Sequence, residues 1–151
     1  MARGQTGEFS RRIVVLAEGL EGRVRQTVRK TALVGDQVLV LATPVDTGRA
    51  RAGWIVSLGA PSSETPQTGE SGDIKEQRGA TAAAKALAQA RKAIGAYEDQ
   101  GSIHITNNVH YVPILDKGRV GNRGSRQAPD GMTKAGLAAM NDVIRRARLL
   151  E

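Results

Sequence analysis

The sequence predicts an α+β fold: a long N-terminal helix, a small antiparallel sheet of two to four strands, a central Ala-rich helix and a C-terminal helix. Three observations predict it. Apolar residues recur every three or four positions from Phe9, from the 80s and again from Thr133, the period of a helix packed on one face. Two short stretches, around Trp54 and around Ile103, instead alternate with period two. Two others, 60–79 and 118–131, carry Gly, Ser, Pro and charge without periodicity and read as long mobile loops.

Residues 1–7 are Gly-rich and polar and read as a flexible terminus. From Glu8, the residues Phe9, Ile13, Leu16, Leu20, Val24 and Val28 draw one apolar stripe, with Arg11, Arg12, Arg23, Arg25, Arg29 and Lys30 on other faces. Such a stripe reads as core-facing, with docking to a partner helix as the alternative. Gly19, Gly22 and Gly35 each weaken an isolated helix by up to ~1 kcal/mol relative to Ala, so tertiary contacts must hold it. Val38-Leu39-Val40-Leu41 is β-branched enough for a strand. No turn signal separates it from Val34, so the helix is predicted to continue through it.

The chain then turns a corner at Pro44-Val45-Asp46-Thr47-Gly48. Pro44 disfavours helical geometry at Thr43 and should end the helix there. Asp46 and Thr47 can bond forward onto their own backbone, and Gly48 can take a positive φ. Beyond the corner Trp54, Val56 and Leu58 alternate with Ile55 and Ser57, a half-buried strand. The corner residues Pro44, Asp46, Thr47, Gly48 and Trp54 thus form a structural constellation with no chemistry of its own.

The stretch 60–79 is long for a loop in one domain and is either an insertion or an arm that orders on assembly. An alanine-rich helix follows from Ala80 to about Ala96, with Leu87, Ala90, Ala93 and Ile94 as a narrow stripe. Tyr97 to Gly101 reads as a turn. Ser102 to Asn107 is the second strand, Ile103 and Ile105 on one face and His104 and Thr106 on the other. A short helical turn closed by Gly118 comes next, and a third strand could lie in the 60s or after Gly118. In the loop 118–131 the cations Arg119, Arg123 and Arg126 meet no acidic residue until Asp130. The last helix, from Thr133, is predicted to bury Leu137, Met140, Ile144 and Ala147. Arg145, Arg146 and Arg148 sit where the helix dipole favours cations.

Composition narrows the function. At 151 residues one domain spanning 1–151 is expected. Aromatics make up 3% of the chain, so the core is expected to be thin and aliphatic, the kind of core that copies of itself or a partner often complete. The chain has no cysteine, which excludes disulfides and thiolate metal sites. No leader-like segment or apolar run of ~18 residues stands in the sequence, so a cytosolic product with no membrane partner is expected. A net charge of +7 suits either a polyanion or an acidic protein surface.

The residues of an active site are not gathered. His104 and His110 lack metal-pair spacing, Glu98 and Asp99 are adjacent in a turn, and Ser125 has no nucleophile elbow. Gly118, Gly121 and Gly124 lack the Gly-Lys-Ser/Thr ending of a phosphate loop. The sequence therefore predicts no enzyme, no cofactor and no metal. A basic nucleic-acid-binding module using Arg119, Arg123 and Arg126 on phosphates is the alternative, although aromatics for base stacking are lacking.

Three ordered blocks resemble a known family. They are Pro44-Val45-Asp46-Thr47-Gly48 with Arg49 and Trp54; Ile105-Thr106-Asn107-Asn108-Val109-His110-Tyr111 leading to Asp116-Lys117-Gly118; and Ser125-Arg126-Gln127-Ala128-Pro129-Asp130-Gly131-Met132 opening the last helix. In that order, over about residues 8 to 150, they resemble the small neck proteins of long-tailed bacteriophages, also called tail-completion or head–tail joining proteins. Ile114 to Lys117 departs from the family, which often has an acidic residue and an aromatic there, and the 60–79 loop has no fixed counterpart. The resemblance implies a structural virion protein located in the neck after assembly in the host cytoplasm. Copies would form a ring, a hexamer by that likeness, between the connector or portal-side protein and the tail terminator or tail tube protein. DNA would pass through its lumen. Arg119, Arg123 and Arg126 would then face either neighbouring subunits or that DNA.

Overall fold

The computed structural model describes residues 3–66, 75–98 and 101–147. The chain runs α1 (Arg3–Ala42), α2 (Arg49–Ala52), β1 (Trp54–Leu58), α3 (Lys75–Gly95), β2 (Ile103–Asn107), α4 (Val112–Asp116) and α5 (Thr133–Arg146). This is the predicted α+β arrangement. The helix does continue through 38–41, because Pro44 is the first residue that forbids it. It begins at Arg3, earlier than Glu8, so residues 3–7 are helical where a loose terminus was expected. The central helix likewise starts at Lys75, which shortens the expected 60–79 loop from its far end. Residues 67–74 of that loop and Asp99 and Gln100 of the expected turn lie outside the described residues, as does Arg148.

The sheet has two strands, β1 antiparallel to β2, with Trp54 opposite Asn107, Val56 opposite Ile105 and Leu58 opposite Ile103. A third strand does not form among the described residues. After Gly118 there is only an isolated bridge between Val120 and Arg123. A two-stranded ribbon leaves backbone groups unpaired along its outer edge, and α3 supplies a partner for them. The Gln89 side chain accepts from Val56 N–H (3.0 Å) and donates to Val56 C=O (2.7 Å), substituting for a third strand at that point.

The core is built of small and aliphatic groups around Trp54. Leu39, Val40, Ala50, Ala83, Ala86, Val109, Val112, Ala128 and Met132 cluster with it, while Ala32, Val56, Ala90 and Ile94 form a second cluster between α1, α3 and β1. Alanines at 82, 83, 86 and 90 let α3 lie close to its neighbours.

α5 packs antiparallel along the C-terminal half of α1. A Cβ on Gly136 would come within 2.8 Å of Leu39 Cγ, and one on Gly35 within 2.6 Å of Met140 Cγ. Glycine at both crossings therefore sets the interhelical distance. This corrects the predicted face of α5. Gly136 is buried and Met140, Val143 and Ala147 are half-buried, but Leu137 and Ile144 are each 55% exposed.

The larger correction concerns α1. Its apolar stripe is not core: Phe9, Ile13, Leu16, Leu20 and Val24 are all exposed, and every residue from 7 to 21 is exposed on all sides. The body engages the helix only from its middle, where Arg29 Nε donates to Tyr97 C=O (2.9 Å).

One buried group works against the fold. Asp36 in α1 is fully buried, and neither carboxylate oxygen has a hydrogen-bond partner among the described residues. Burial pushes its pKa up from 3.8 to about 7. Between those values the folded state holds a proton on Asp36 that the unfolded state has released, so the contribution of Asp36 to stability is greatest below about pH 4, falls as the pH rises towards 7 and is level above. Asp36→Leu should flatten that slope and raise stability at pH 8 by roughly 1–4 kcal/mol, read from urea unfolding across pH. An unchanged slope would place the pH dependence elsewhere.

Candidate functional site

The corner predicted from sequence is the centre of a weld between distant segments. Thr43 is fully buried at the end of α1. Its hydroxyl donates to Leu39 C=O (2.6 Å) and accepts from Trp54 Nε1 (2.7 Å), so the indole is tied directly to the last turn of the helix. The carbonyls left open at that helix end take the Arg51 guanidinium: Nε and Nη2 donate to Thr43 C=O (3.1 and 2.8 Å), and Nη2 also to Leu41 C=O (3.2 Å). Burial pushes the Arg51 pKa down from its usual value.

Each predicted corner residue has a place in this weld. Pro44 is buried, and Gly48 takes φ 83°, a left-handed conformation that turns the chain into α2. The Thr47 hydroxyl accepts from Arg49 N–H at 3.4 Å, a long forward bond of the kind predicted. Asp46 offers its carbonyl to Arg78 Nε (2.9 Å), which ties the corner to α3. Arg49 Nε reaches Pro66 C=O (2.7 Å) and holds the end of the 60–66 segment against the body.

The second and third sequence blocks are joined to the first by side-chain amides. Asn107 Nδ2 donates to Ala50 C=O (2.7 Å), while its Oδ1 accepts from Val109 N–H (3.2 Å). Gln127 closes a two-bond clamp on Val45, accepting from its N–H (2.9 Å) and donating to its C=O (3.1 Å). Asp116 Oδ1 accepts from Met132 N–H (2.8 Å) and Thr133 N–H (2.7 Å), capping α5 from sixteen residues upstream. Burial raises the Asp116 pKa, but the hydrogen bonds from Thr133 and Met132 outweigh it and hold the carboxyl below its usual value. Gly118, at φ 73°, lets Pro129 pass so closely that a Cβ would stand 2.4 Å from its carbonyl.

Pro44 to Ala50, Tyr111, Leu115, Ser125 and Gln127 together line a cleft of about 580 Å³. Its hydroxyl at Ser125 is engaged by Gln127 N–H (3.1 Å). The blocks that are scattered through 90 residues of sequence thus meet at one place, as structure.

The arginines of the 118–131 loop lie on its outer side. Arg119 Nε turns back onto Gly121 C=O (3.0 Å). Arg123 and Arg126 are exposed, and no side-chain hydrogen bond or ion pair fixes either among the described residues. His104 sits at Ser102 Oγ (2.7 Å) and His110 stacks edge-on against Tyr111, well apart in role. Among the described residues no group of three or more His, Asp or Glu side chains is placed to hold a metal ion, and no helix is long and apolar enough to cross a membrane.

Sequence reasoning assigned no role to Gln89, Gln127 or Arg51. Gln127 lies inside the third block quoted from the sequence, but nothing local marks a glutamine that clamps a backbone 82 residues away.

The weld makes a stability prediction. Thr43→Val would leave the buried indole N–H without an acceptor and should cost ~1–3 kcal/mol in urea unfolding. Paired with Trp54→Phe, the double mutant should show coupling of at least ~0.5 kcal/mol. Additive losses would mean that the indole bond carries no weight.

No family model matches the chain, and no curated protein or solved structure matches it either.

Proposed function

We propose that this chain is a neck protein of a long-tailed bacteriophage, a structural subunit whose copies form a ring joining the DNA-filled head to the tail. The observation that carries the reading is the ordered set of three blocks resembling that family. Its support from the fold is that these blocks converge on one weld rather than on a reactive centre. A ring of six copies between the connector or portal-side protein and the tail terminator or tail tube protein, with DNA in its lumen, follows from the same resemblance. On this reading the chain is not an enzyme and needs no cofactor.

Electron microscopy of particles made without this chain tests the role. Filled heads beside separate, finished tails are expected; complete infectious virions would remove the neck assignment.

A nucleic-acid-binding module remains the second reading, favoured by the exposed and unfixed Arg123 and Arg126. Three phosphate contacts would give a log–log salt slope of about −3 on duplex DNA. The neck reading expects affinity for free duplex at ~150 mM salt no tighter than about 10⁻⁶ M, unaltered when Arg119, Arg123 and Arg126 are replaced by Ala. Tight binding that this triple variant abolishes would favour the module instead.

A further inference from the structure

The exposed half of α1 is an apolar rod without a cover. Phe9 is 65% exposed, Ile13 50%, Leu16 72%, Leu20 39% and Val24 40%, all on one face. They present on the order of 500 Å² of apolar surface, within the range of the largest patch on an ordinary monomer and more than half of one side of a specific interface. The same face, continued through Thr27, Thr31 and Gly35, is the one α5 covers in the body. α5 ends at Arg146, and the uncovered stripe begins just beyond it. Gly19 and Gly22 point the same way. Among the described residues, nothing beyond the helix's own backbone lies within 4 Å of a Cβ at either position, unlike Gly35 and Gly136, which meet α5 and α1 side chains. Each such glycine costs the free half up to ~1 kcal/mol relative to Ala, a cost that packing against a partner would offset.

The body offers a matching receptor. Between the middle of α1, the sheet and α5 runs an apolar groove of about 440 Å³, lined by Val28, Leu39, Trp54, Ile103, Ile105 and Leu137 among others, with no charged side chain in its described lining. It is large enough for several leucine-sized groups spaced along one helix face, the helix-in-groove mode of recognition. The rod cannot fill its own groove. Both belong to one continuous helix, and the groove's floor, Val28 to Leu39, is the extension of the rod itself.

We infer that the N-terminal half of α1 docks, through Phe9, Ile13, Leu16 and Leu20, into the groove of a second copy of this chain. One copy supplies the insert and the next supplies the receptor, so the contact is head-to-tail and leaves a free insert and a free groove at the ends. Such a contact closes into a ring when the rotation per step permits. The inference takes the ring from the proposed function and supplies its contact surface.

The test uses the full-length chain and two single variants at exposed positions, Leu16→Arg in the insert and Leu137→Arg in the groove. In sedimentation at tens of micromolar, the parent chain should form oligomers and each variant alone should be monomeric, with unchanged far-ultraviolet circular dichroism. Mixed in equal amounts, the two variants should give a heterodimer and nothing larger, because one intact insert then meets one intact groove. A monomeric parent chain at all concentrations overturns the inference. So does a Leu137→Arg variant that assembles like the parent, since insert would then be meeting insert; so does a mixture that stays monomeric. Normal virions made without the chain would remove the neck role yet leave this contact standing. A monomeric parent chain would remove the contact and leave the neck role open to other surfaces.

Discussion

The buried hydroxyl of Thr43 is the point from which the body is hung. It closes the last turn of α1 on one side and receives the tryptophan indole on the other, both within hydrogen-bond distance and away from water. The hydroxyl accepts and donates at once in an apolar place, and leaving either partner open would cost more than the bond contributes. From there the connections radiate: Arg51 to the helix end, Asn107 to the following turn, Gln127 to the corner backbone. With aromatics scarce, polar side chains reaching backbone atoms do much of the fixing that large apolar groups do elsewhere.

Periodicity and breakers made most elements legible. Pro44, Gly48 and Gly118 act within a few residues of where they stand, so the corner, both strands and the short α4 could be read locally. The stripes told less. A hydrophobic period shows that one face is apolar and is silent on what covers it, which is why the Phe9 stripe reads as core and yet stands in water. On α5 the reading shifted for a different reason. The crossing with α1 is made at Gly136, which carries no apolar side chain, so the pattern pointed instead to Leu137 and Ile144.

The weld was visible only as a resemblance. Nothing in the spacing of Gln127 and Val45, or of Asp116 and Thr133, announces a bond, because a side chain that clamps distant backbone leaves no local period. Asp36 was equally hidden: a lone carboxylate in a helix reads as solvent-facing, yet this one is fully buried. These long-range polar contacts hold the cleft together, and they are what a single sequence is least able to show.

The length of α1 has a mechanical meaning. A helix of 40 residues spans about 60 Å, and only its C-terminal half is gripped. The half beyond α5 is therefore a lever arm with its fulcrum where α5 ends against Thr27. Residues 3–27 span roughly 36 Å, so a bend of about 8° there would sweep the tip through about 5 Å, the rise of one helical turn. Small rearrangements at the crossing of α1 and α5 would be magnified into displacements large enough to change which side chains meet at the far tip.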